Sequence, residues 1–319
     1  MLLSIIVPVY NRPDEVRELI VSLTRQAMHD YELIIVEDGS SLPCRAEVEH
    51  YAPLLPSYTY ISISNGGPSK ARNAGARIAT GDYLLILDSD VVLPGGFLLT
   101  VESSLRRTGA DAWGGPDAAA PDFSPMQKAV SYAMTSFWTT GGIRGGRASG
   151  MERFKPRTFN MGCRRDLFLS LGGFSEDMRY GEDIEFSLRL VASGARVLLF
   201  ADAYVYHKRR VDLRQFFMQV YRSGQARIEL QRRHPGSLRL VHTLPVAFTF
   251  FSLLCFLSVV GSAPLIFYAA LIFVDALRQN GLDWAVALRA VPASFVQLWG
   301  YGLGFIRATL LPSSPLYTV

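Results

Sequence analysis

The first 100 residues alternate between short apolar runs and segments with helical spacing. Apolar runs at residues 2–10, 31–40, 58–64 and 82–90 predict four strands, three of which end in polar clusters. Helical patterns fill the intervals, and the first places Val16, Leu19, Ile20 and Leu23 on one stripe. Continuous apolar strands joined by helices indicate an α/β fold with a mostly parallel, Rossmann-like sheet flanked by helices.

Beyond residue 112 the pattern changes twice. Residues 113–158 are rich in Gly, Pro and Ala and predict a long irregular loop, functional or disordered. A helix at 182–192 and one or two strands within 196–208 then complete the first predicted domain, residues 1–210. Residues 211–242 follow as a basic, amphipathic segment, whose helix at 213–233 is typical of helices that lie on a membrane surface.

Residues 243–319 form an apolar C-terminal region. The 32 residues from 243 to 274 carry no formal charge, whereas about 20 suffice to cross the hydrocarbon of a bilayer. The pattern predicts a membrane-associated helical region with two or three transmembrane helices, drawn from residues 243–261, 264–277 and 284–306. A re-entrant hairpin and a buried hydrophobic subdomain are the alternatives.

Charge is distributed as unevenly as hydrophobicity. Charged residues make up only 19% of the 319 residues, and residues 1–242 carry 55 of the 60. Residues 205–242 hold nine Lys and Arg against two Asp and Glu, a net charge of +7. Because this basic stretch directly precedes the apolar region, it favours contact with the lipids of an anionic inner (plasma) membrane, with the first domain cytoplasmic, over binding of nucleic acid.

The cysteines and the N-terminus indicate a protein of a reducing compartment. The three cysteines are widely spaced and form no C-x-x-C pair, so neither a disulfide framework nor a zinc site is expected. Residues 2–9 lack preceding basic residues and a small-residue cleavage site, and they are interpreted as a buried strand rather than an export signal.

Carboxylates at the predicted strand ends are the first chemical signal. Asp88 and Asp90 end one strand, and two hard oxygen ligands at this spacing suit Mg²⁺ or Mn²⁺. Glu37 and Asp38 end another, where a carboxylate can accept hydrogen bonds from a ribose or a pyrimidine base. Ligands of parallel sheets collect beyond the carboxyl ends of the strands, although a plain turn would use the same residue types.

Three further positions complete the candidate site. Arg72, in a glycine-rich loop that opens a helix, is suited to a diphosphate. Glu182 and Asp183 begin a helix after a glycine, where they could cap the helix or deprotonate a hydroxyl group. His207 follows a strand and is a candidate third metal ligand or a surface residue.

Taken together, the chain resembles glycosyltransferase family 2, the nucleotide-sugar-dependent enzymes with the GT-A fold. The resemblance covers about residues 2–210, and its matching segments keep the order of the family: VPVYNR (7–12), VEDGS (36–40), GGPSKARNAG (66–75), DYLLILDSD (82–90), FNMGCRRDLFLSLGGF (159–174) and GEDIEFSLRL (181–190).

The resemblance implies an inverting, metal-dependent transfer from a nucleoside-diphosphate sugar to a hydroxyl acceptor. It implies that Asp183 is the general base beside an acceptor-binding Glu182, and that Asp90, Asp88 and His207 hold the metal. Arg72 would face the donor diphosphate, and Asn160 would lie near the acceptor or donor sugar. The nucleotide pocket would be lined by Pro8, Tyr10, Asn11, Arg12, Glu37 and Asp38.

Two departures from the family pattern refine this expectation. Glu37 stands where Asp is commoner, and the Q-x-x-R-W motif of processive synthases is incomplete, since Gln219 and Arg222 are followed by Ser223. The second departure favours non-processive addition of single sugars to a glycan or a lipid-linked polysaccharide or glycolipid precursor. Two alternatives stay open. One is a polyprenyl-phosphate sugar synthase, and the other is a non-catalytic membrane protein that binds nucleotide sugar or scaffolds a glycan assembly complex. A sugar nucleotidyltransferase would need a glycine-rich, lysine-containing N-terminal loop that this chain lacks.

Overall fold

The computed structural model describes residues 1–118, 123–140, 155–178, 180–208, 212–255 and 260–311. The chain divides into two units: unit 1 comprises residues 1–118 and 150–207, and unit 2 comprises residues 119–149 and 208–319. The described strands are β1 (Leu3–Val9), β2 (Tyr31–Asp38), β3 (Tyr58–Ile63), β4 (Tyr83–Leu87), β5 (Val91–Val92), β6 (Ala112–Gly114), β7 (Asp117–Ala118), β8 (Asn160–Arg164), β9 (Val197–Leu199) and β10 (Val205–His207).

The helices are distributed over both units. The described α-helices are α1 (Pro13–Thr24), α2 (Arg45–Tyr51), α3 (Pro68–Ile78), α4 (Phe97–Thr108), α5 (Pro125–Thr135), α6 (Phe137–Thr140), α7 (Arg165–Ser170), α8 (Glu182–Ala192), α9 (Leu213–Arg233), α10 (Leu244–Cys255), α11 (Ala263–Gln279) and α12 (Trp284–Leu310). Helices α5, α6 and α9–α12 belong to unit 2, and the others belong to unit 1.

Unit 1 is built on a seven-stranded sheet in the order β3-β2-β1-β4-β8-β6-β9. The pairs β1–β2, β1–β4, β2–β3 and β6–β9 are parallel, and only β8 runs antiparallel to its neighbours β4 and β6. The central strands are buried on both faces because each face packs against helices. The predicted mostly parallel α/β sheet is therefore confirmed.

A second, three-stranded sheet in unit 1 has the order β5-β10-β7. Strand β10 pairs antiparallel with β5 and parallel with β7, so that His207 faces Val91 and Val205 faces Asp117 across the ladders. This small sheet brings the end of unit 1 next to the loop that follows β4.

Unit 2 is helical, and its helices approach one another through glycines. A side chain at Gly224 of α9 would overlap the carbonyl oxygen of Tyr301 on α12, and one at Gly304 would overlap that of Tyr221 on α9. The apolar stripe of α9, which includes Phe216 and Val220, is buried within unit 2. The prediction that this stripe faces a membrane is therefore wrong, because protein packing covers it.

Within the described residues, we find no helix with both the length and the apolarity needed to cross a bilayer. The predicted transmembrane helices are corrected accordingly. The apolar run divides into α10, with 12 residues, and α11, with 17 residues, while the longer α12 buries polar Ser294 and Gln297 in its packing stripe. Residues 256–259 of the first predicted span lie outside the described residues.

Residues 125–140 depart from the predicted irregular loop, because they form α5 and α6. Helix α5 begins with a capping box, in which Ser124 accepts a hydrogen bond from the Gln127 amide and the Gln127 side chain accepts one from the Ser124 amide. The S-x-x-Q spacing before an apolar run is a helix start signal that the composition of the segment concealed. Residues 119–122 and 141–154 of the predicted loop lie outside the described residues.

Candidate active site

The site begins where β1 and β4 end side by side. The chain leaves β1 for β2 and β3 on one side and returns to β4 on the other, which makes this edge the topological switch point of the sheet. Arg12 follows β1, Asp88 and Asp90 follow β4, and the Arg12 Nη1 atom lies 2.9 Å from Asp90 Oδ2. The edge therefore carries opposite charges in direct contact.

His207 joins this edge through the small sheet. Its Nε2 atom lies 3.2 Å from Asp90 Oδ1, and its Nδ1 atom lies 3.9 Å from Asp117 Oδ2. Its ring stacks on Phe159, with the ring centroids 5.1 Å apart. Packing and two carboxylates thus hold the imidazole beside the acidic loop, as a metal ligand requires.

Asp88, Asp90 and His207 each offer a ligand atom within 4.8 Å of the others, the one such group found among the described residues. Two carboxylates and an imidazole on a partly exposed edge suit Mg²⁺ or Mn²⁺, and the free positions of either ion can take phosphate oxygens. The residues present therefore fit a divalent cation, and the three predicted ligands are brought together.

Arg72 connects this group to a second acidic group. The residue is 4% exposed, and its guanidinium group donates hydrogen bonds to Asp88 Oδ1 at 2.7 Å and to Glu182 Oε1 at 2.9 Å. Burial alone would lower the pKa of Arg72, but the two carboxylates raise it above its ordinary value. Arg72 is thus a charged bridge between the β4 loop and α8, and its expected contact with a diphosphate stays a prediction.

The second acidic group is the first turn of α8. Gly181 precedes the helix with a φ of 82°, a left-handed conformation that glycine adopts without a steric cost. Asp183 accepts from the Ile184 amide at 2.7 Å and from Arg157 Nε at 2.5 Å. The predicted base is therefore oriented by two donors, one of them a cation.

Glu182 lies in an environment that opposes its ionisation. Burial and the adjacent Asp183 carboxylate raise the pKa of Glu182 to about 7, and Arg72 offsets only part of this because Asp88 shares its charge. Two neighbouring carboxyl groups with different surroundings are a common arrangement at catalytic sites.

Glu37 turns out to be the centre of a buried hydrogen-bond cluster. Its carboxylate accepts from the Cys44 amide at 2.9 Å, from Tyr60 Oη at 2.9 Å, from the Cys44 thiol and from Ser40 Oγ. Burial and the Glu37 carboxylate together raise the pKa of the Cys44 thiol, which stays protonated as a donor. Glu37 therefore organises this loop, and its expected contact with a nucleobase stays a prediction.

Asp38 and Asn11 connect three loops at the same edge. Asp38 accepts from the amides of Gly66 and Gly67 at 2.8 and 2.9 Å, which positions the start of α3 and hence Arg72. Asn11, at a φ of 55°, uses Oδ1 to accept from the Leu42 amide at 2.9 Å. Loop geometry thus depends on residues that were predicted to line a nucleotide pocket.

The remaining predicted site residues lie in β1, just beyond β1 and at the start of β8. Pro8 pairs with Val36 in the β1–β2 ladder, and Tyr10 is exposed beyond the end of β1. Asn160 is fully buried, and its Nδ2 atom donates to the Ala203 carbonyl at 2.7 Å. Its position ties β8 to the turn before β10, so its expected contact with a sugar stays a prediction.

Sequence reasoning missed two residues of this site. They are Arg157, which pairs with Asp183, and Asp117, which lies beside His207. Both belong to residues 113–158, which were predicted to form an irregular loop. The Pro156 carbonyl accepts from Ser187 Oγ on α8, which holds the segment with Arg157 against the helix start. No spacing in the sequence marks either residue, because both partners are distant along the chain.

Comparison with known proteins identifies this arrangement. The sequence matches the family profile "Glycosyl transferase family 2" over residues 4–171, more than half of the chain and most of unit 1. This chain belongs to glycosyl transferase family 2. The predicted family and the assignment as a glycosyltransferase are confirmed at that level.

Two relatives of this family 2 member come from Bacillus subtilis and Rhizobium meliloti. It is 30% identical over 213 residues to the uncharacterized glycosyltransferase EpsJ of Bacillus subtilis (strain 168), covering 65% of this chain and 61% of EpsJ. It is 26% identical over 250 residues to the succinoglycan biosynthesis protein ExoM of Rhizobium meliloti (strain 1021), covering 75% and 78%. The chain thus spans less than two thirds of the length of EpsJ.

A solved structure supports the fold of this family 2 member. The mannosyltransferase PcManGT from Pyrobaculum calidifontis, in complex with GDP-Man and Mn²⁺, superposes with a TM-score of 0.63 over 93% of this chain and 87% of its own. At 20% sequence identity this likeness shows the fold alone. The predicted GT-A fold is therefore confirmed.

Proposed function

We propose that this family 2 member transfers a sugar from a nucleoside-diphosphate sugar to a hydroxyl acceptor, with inversion and with a divalent cation. One observation carries the proposal: Arg72 contacts both Asp88 and Glu182, at 2.7 and 2.9 Å. This bridge joins the metal-ligating group to the helix that holds a candidate base, so that donor and acceptor chemistry share one site.

On the donor side, Asp88, Asp90 and His207 would hold Mg²⁺ or Mn²⁺. A divalent cation held there would neutralise the charge that develops on the departing nucleoside diphosphate. Arg12, which contacts Asp90 and is partly exposed, is placed to bind anionic oxygens of the donor as well. The PcManGT structure, which contains GDP-Man and Mn²⁺, supports this choice of donor class.

On the acceptor side, Asp183 is the proposed general base. The acceptor oxygen forms a bond to the anomeric carbon while the bond from that carbon to the diphosphate oxygen breaks, and Asp183 takes the hydroxyl proton. Arg157 and the Ile184 amide hold the carboxylate in one orientation, so little reorganisation is needed before proton transfer. A single displacement of this kind inverts the anomeric configuration.

The proposal extends to the acceptor and its location. The names of the ExoM and EpsJ relatives point to polysaccharide biosynthesis and glycosyl transfer, and the incomplete Q-x-x-R-W segment favours addition of single sugars. We place the acceptor among lipid-linked or cell-surface polysaccharide precursors, and the site at the cytoplasmic side of the plasma membrane. The basic stretch at residues 205–242 supports that location.

The test measures the release of nucleoside diphosphate when the full chain is incubated with each of a panel of nucleotide sugars. Each reaction contains an extract that supplies acceptors, together with Mn²⁺, Mg²⁺ or a chelator. We expect release that needs the cation and falls by about 10²-fold or more in Asp90→Ala, because charge stabilisation of the leaving group is lost. Asp14→Ala, which removes an exposed carboxylate of α1, is the matched control. Release that is unchanged in Asp90→Ala or by the chelator contradicts the proposal.

A further inference from the structure

Helix α10 of unit 2 has an inverted distribution of polar and apolar side chains. Thr249, Ser252 and Cys255 are buried, whereas Phe250 and Leu254 are 55% and 65% exposed. An amphipathic helix of a globular protein normally presents its polar residues to water and buries its apolar face. The outer face of α10 is therefore unsuited to water.

Specific contacts determine which face of α10 is buried. Ser252 Oγ accepts from the Trp299 Nε1 atom of α12 at 2.7 Å. Thr249 donates to the Pro245 carbonyl at 2.8 Å and lies against Gly302 of α12, where a larger residue would collide with it. Buried polar groups of this kind cost free energy unless they are paired, so the bond from Trp299 and the close approach of Thr249 to Gly302 hold the helix in this orientation.

Helix α11 also exposes an apolar face. Leu265, Ile272 and Ala276 are buried in unit 2, whereas Ile266 and Phe267 are exposed, Phe267 by 72%. The two helices lie over the same part of α12, because Phe248 of α10 and Tyr268 of α11 both pack their rings against Phe295. We call the exposed residues of both helices the α10–α11 face: Leu244, Phe250, Phe251, Leu253, Leu254, Ile266, Phe267 and Val274.

Exposed Phe and Trp side chains cluster in unit 2, whereas the exposed tyrosines Tyr10 and Tyr58 belong to unit 1. In the part of the chain that the structure describes, all exposed Phe and Trp side chains belong to unit 2: Phe137, Trp138, Phe250, Phe251, Phe267 and Trp284. Trp138 lies next to α11, since its carbonyl accepts from Tyr268 Oη at 3.1 Å. Trp side chains such as Trp138 and Trp284, which have one polar edge, are enriched at the boundary between lipid and water, whereas the Phe side chains contribute only apolar area.

Exposed arginines lie on both sides of the uncharged run that holds the α10–α11 face. No formal charge occurs between residues 243 and 274; exposed Arg239 comes before this run, and partly buried Asp275 and exposed Arg278 come after it. The Asp275 carboxylate accepts hydrogen bonds from Tyr132 Oη at 2.6 Å and from Gln279 Nε2 at 2.9 Å, so it is occupied within unit 2. The preceding stretch, residues 205–242, has a net charge of +7. An apolar face with cations at its ends complements an anionic bilayer, whereas a second copy of the same face would oppose like charges.

We propose that the α10–α11 face docks on the interfacial region of an anionic bilayer, with both helices lying along the surface. Each helix has one face packed on protein and one apolar face outward, which is the arrangement of a helix that enters only the headgroup boundary. Membrane contact is thus made by these two helices rather than by α9, whose apolar stripe is covered. The functional meaning of this contact, access to a lipid-linked acceptor, rests on the proposed function.

The test is co-sedimentation of the full chain with vesicles of phosphatidylcholine, or of equimolar phosphatidylcholine and phosphatidylglycerol. We expect binding that is stronger to the anionic vesicles and about tenfold or more weaker in Phe267→Glu, because burial of one aromatic side chain is lost. Leu254→Glu gives an independent variant on α10. Leu54→Glu is the matched control, since Leu54 is a 62% exposed residue of unit 1.

Several outcomes would overturn the docking proposal. The first is that the wild type does not bind anionic vesicles. The second is that both variants bind as strongly as the wild type. The third is that the wild type is a dimer that binds no vesicles and that Phe267→Glu converts to a monomer. Thermal unfolding of each variant checks that the fold is retained. Vesicle binding needs no sugar donor, so a protein that binds vesicles but shows no turnover contradicts only the proposed function. A protein that turns over a water-soluble acceptor but does not bind vesicles contradicts only the docking proposal.

Discussion

Arginines from distant parts of the chain neutralise the acidic residues of the site. Arg12 contacts Asp90, and Arg72 contacts both Asp88 and Glu182. Removing one partner of a buried ion pair leaves an uncompensated charge, which is costly, so these contacts hold the carboxylates in defined positions. The local electrostatics therefore depend on pairs rather than on single acidic residues.

Substitution of Asp183 by Asn tests its role as a base. The amide keeps the shape of the side chain but cannot take a proton, so we expect kcat to fall by about 10²–10⁴-fold. Asp166→Asn is the matched control, because Asp166 also lies in the first turn of a helix and also pairs with an arginine. Equal kcat values for Asp183→Asn and the wild type would show that another group accepts the proton.

The raised pKa of Glu182 should make the stability of the protein depend on pH. The pKa of Glu182 is about 7 in the folded protein and 4.5 for an unperturbed glutamate, the value expected in the unfolded chain. Between these two pH values the folded state therefore holds a proton that the unfolded state releases. The free energy of unfolding should therefore fall as pH rises from about 4.5 to about 7, by up to about 3 kcal/mol. Urea unfolding of the wild type and of Glu182→Gln measures this effect.

The variant should lose that part of the pH dependence, because its amide does not titrate. Glu49→Gln is the control, since Glu49 is an exposed glutamate of α2 paired with Arg45. A wild-type slope retained in Glu182→Gln would show that other groups cause the pH dependence.

At the scale of elements, the site depends on how β8 and β10 meet. Asn160 at the start of β8 donates to the Ala203 carbonyl, and Val205 of β10 donates its amide to the Pro116 carbonyl. Gly115 lies between them, with no room for a side chain beside the Ala203 oxygen. His207 thus reaches Asp90 because a glycine allows two backbone segments to approach.

Substitution of Gly115 by Ala should separate these segments. The added methyl group would overlap the Ala203 carbonyl, so we expect a loss of about 1–3 kcal/mol in the free energy of unfolding and weaker binding of Mn²⁺. Gly95→Ala is the matched control, because nothing lies within 4 Å of the added atom there. Denaturant unfolding and Mn²⁺ titration measure the two effects, and wild-type values in both would contradict this role of Gly115.

At the scale of the whole molecule, the two units differ in surface chemistry. Unit 1 carries the acidic site, whereas unit 2 carries the exposed Phe and Trp side chains of the described residues and most of the basic stretch at residues 205–242. A ligand that binds only the folded state stabilises the protein according to its concentration relative to Kd. Donor binding should therefore be measurable as a shift in thermal unfolding.

A nucleoside diphosphate with Mn²⁺ should raise Tm. At a ligand concentration of 100 Kd the stabilisation is about 2.7 kcal/mol. Differential scanning fluorimetry with several nucleoside diphosphates, with and without Mn²⁺, identifies the base. Asp90→Ala should lose the part of the shift that depends on Mn²⁺, and a shift that is independent of both the cation and Asp90 would contradict the assigned ligands.

Local patterns along the chain are enough to predict the parallel half of the main sheet, β1–β4, and the edge at which the site lies, but not β6 and β8. Apolar runs predicted β1–β4, and the glycine before Glu182 predicted the start of α8, because strand and helix periods are local properties. The acidic residues at strand ends were likewise predictable, since parallel strands bring their carboxyl ends to one edge.

The contacts of these residues follow from long-range packing. The sequence could not show that Glu37 is enclosed by hydrogen bonds, that Arg72 bridges two carboxylates, or that Arg157 holds Asp183, because these partners are distant along the chain. Hydrophobicity likewise cannot distinguish an apolar stripe that packs on protein from one that faces outward. The close glycine contacts between α9 and α12 cover the apolar stripe of α9. The bond from Trp299 to Ser252 instead leaves the apolar face of α10 exposed.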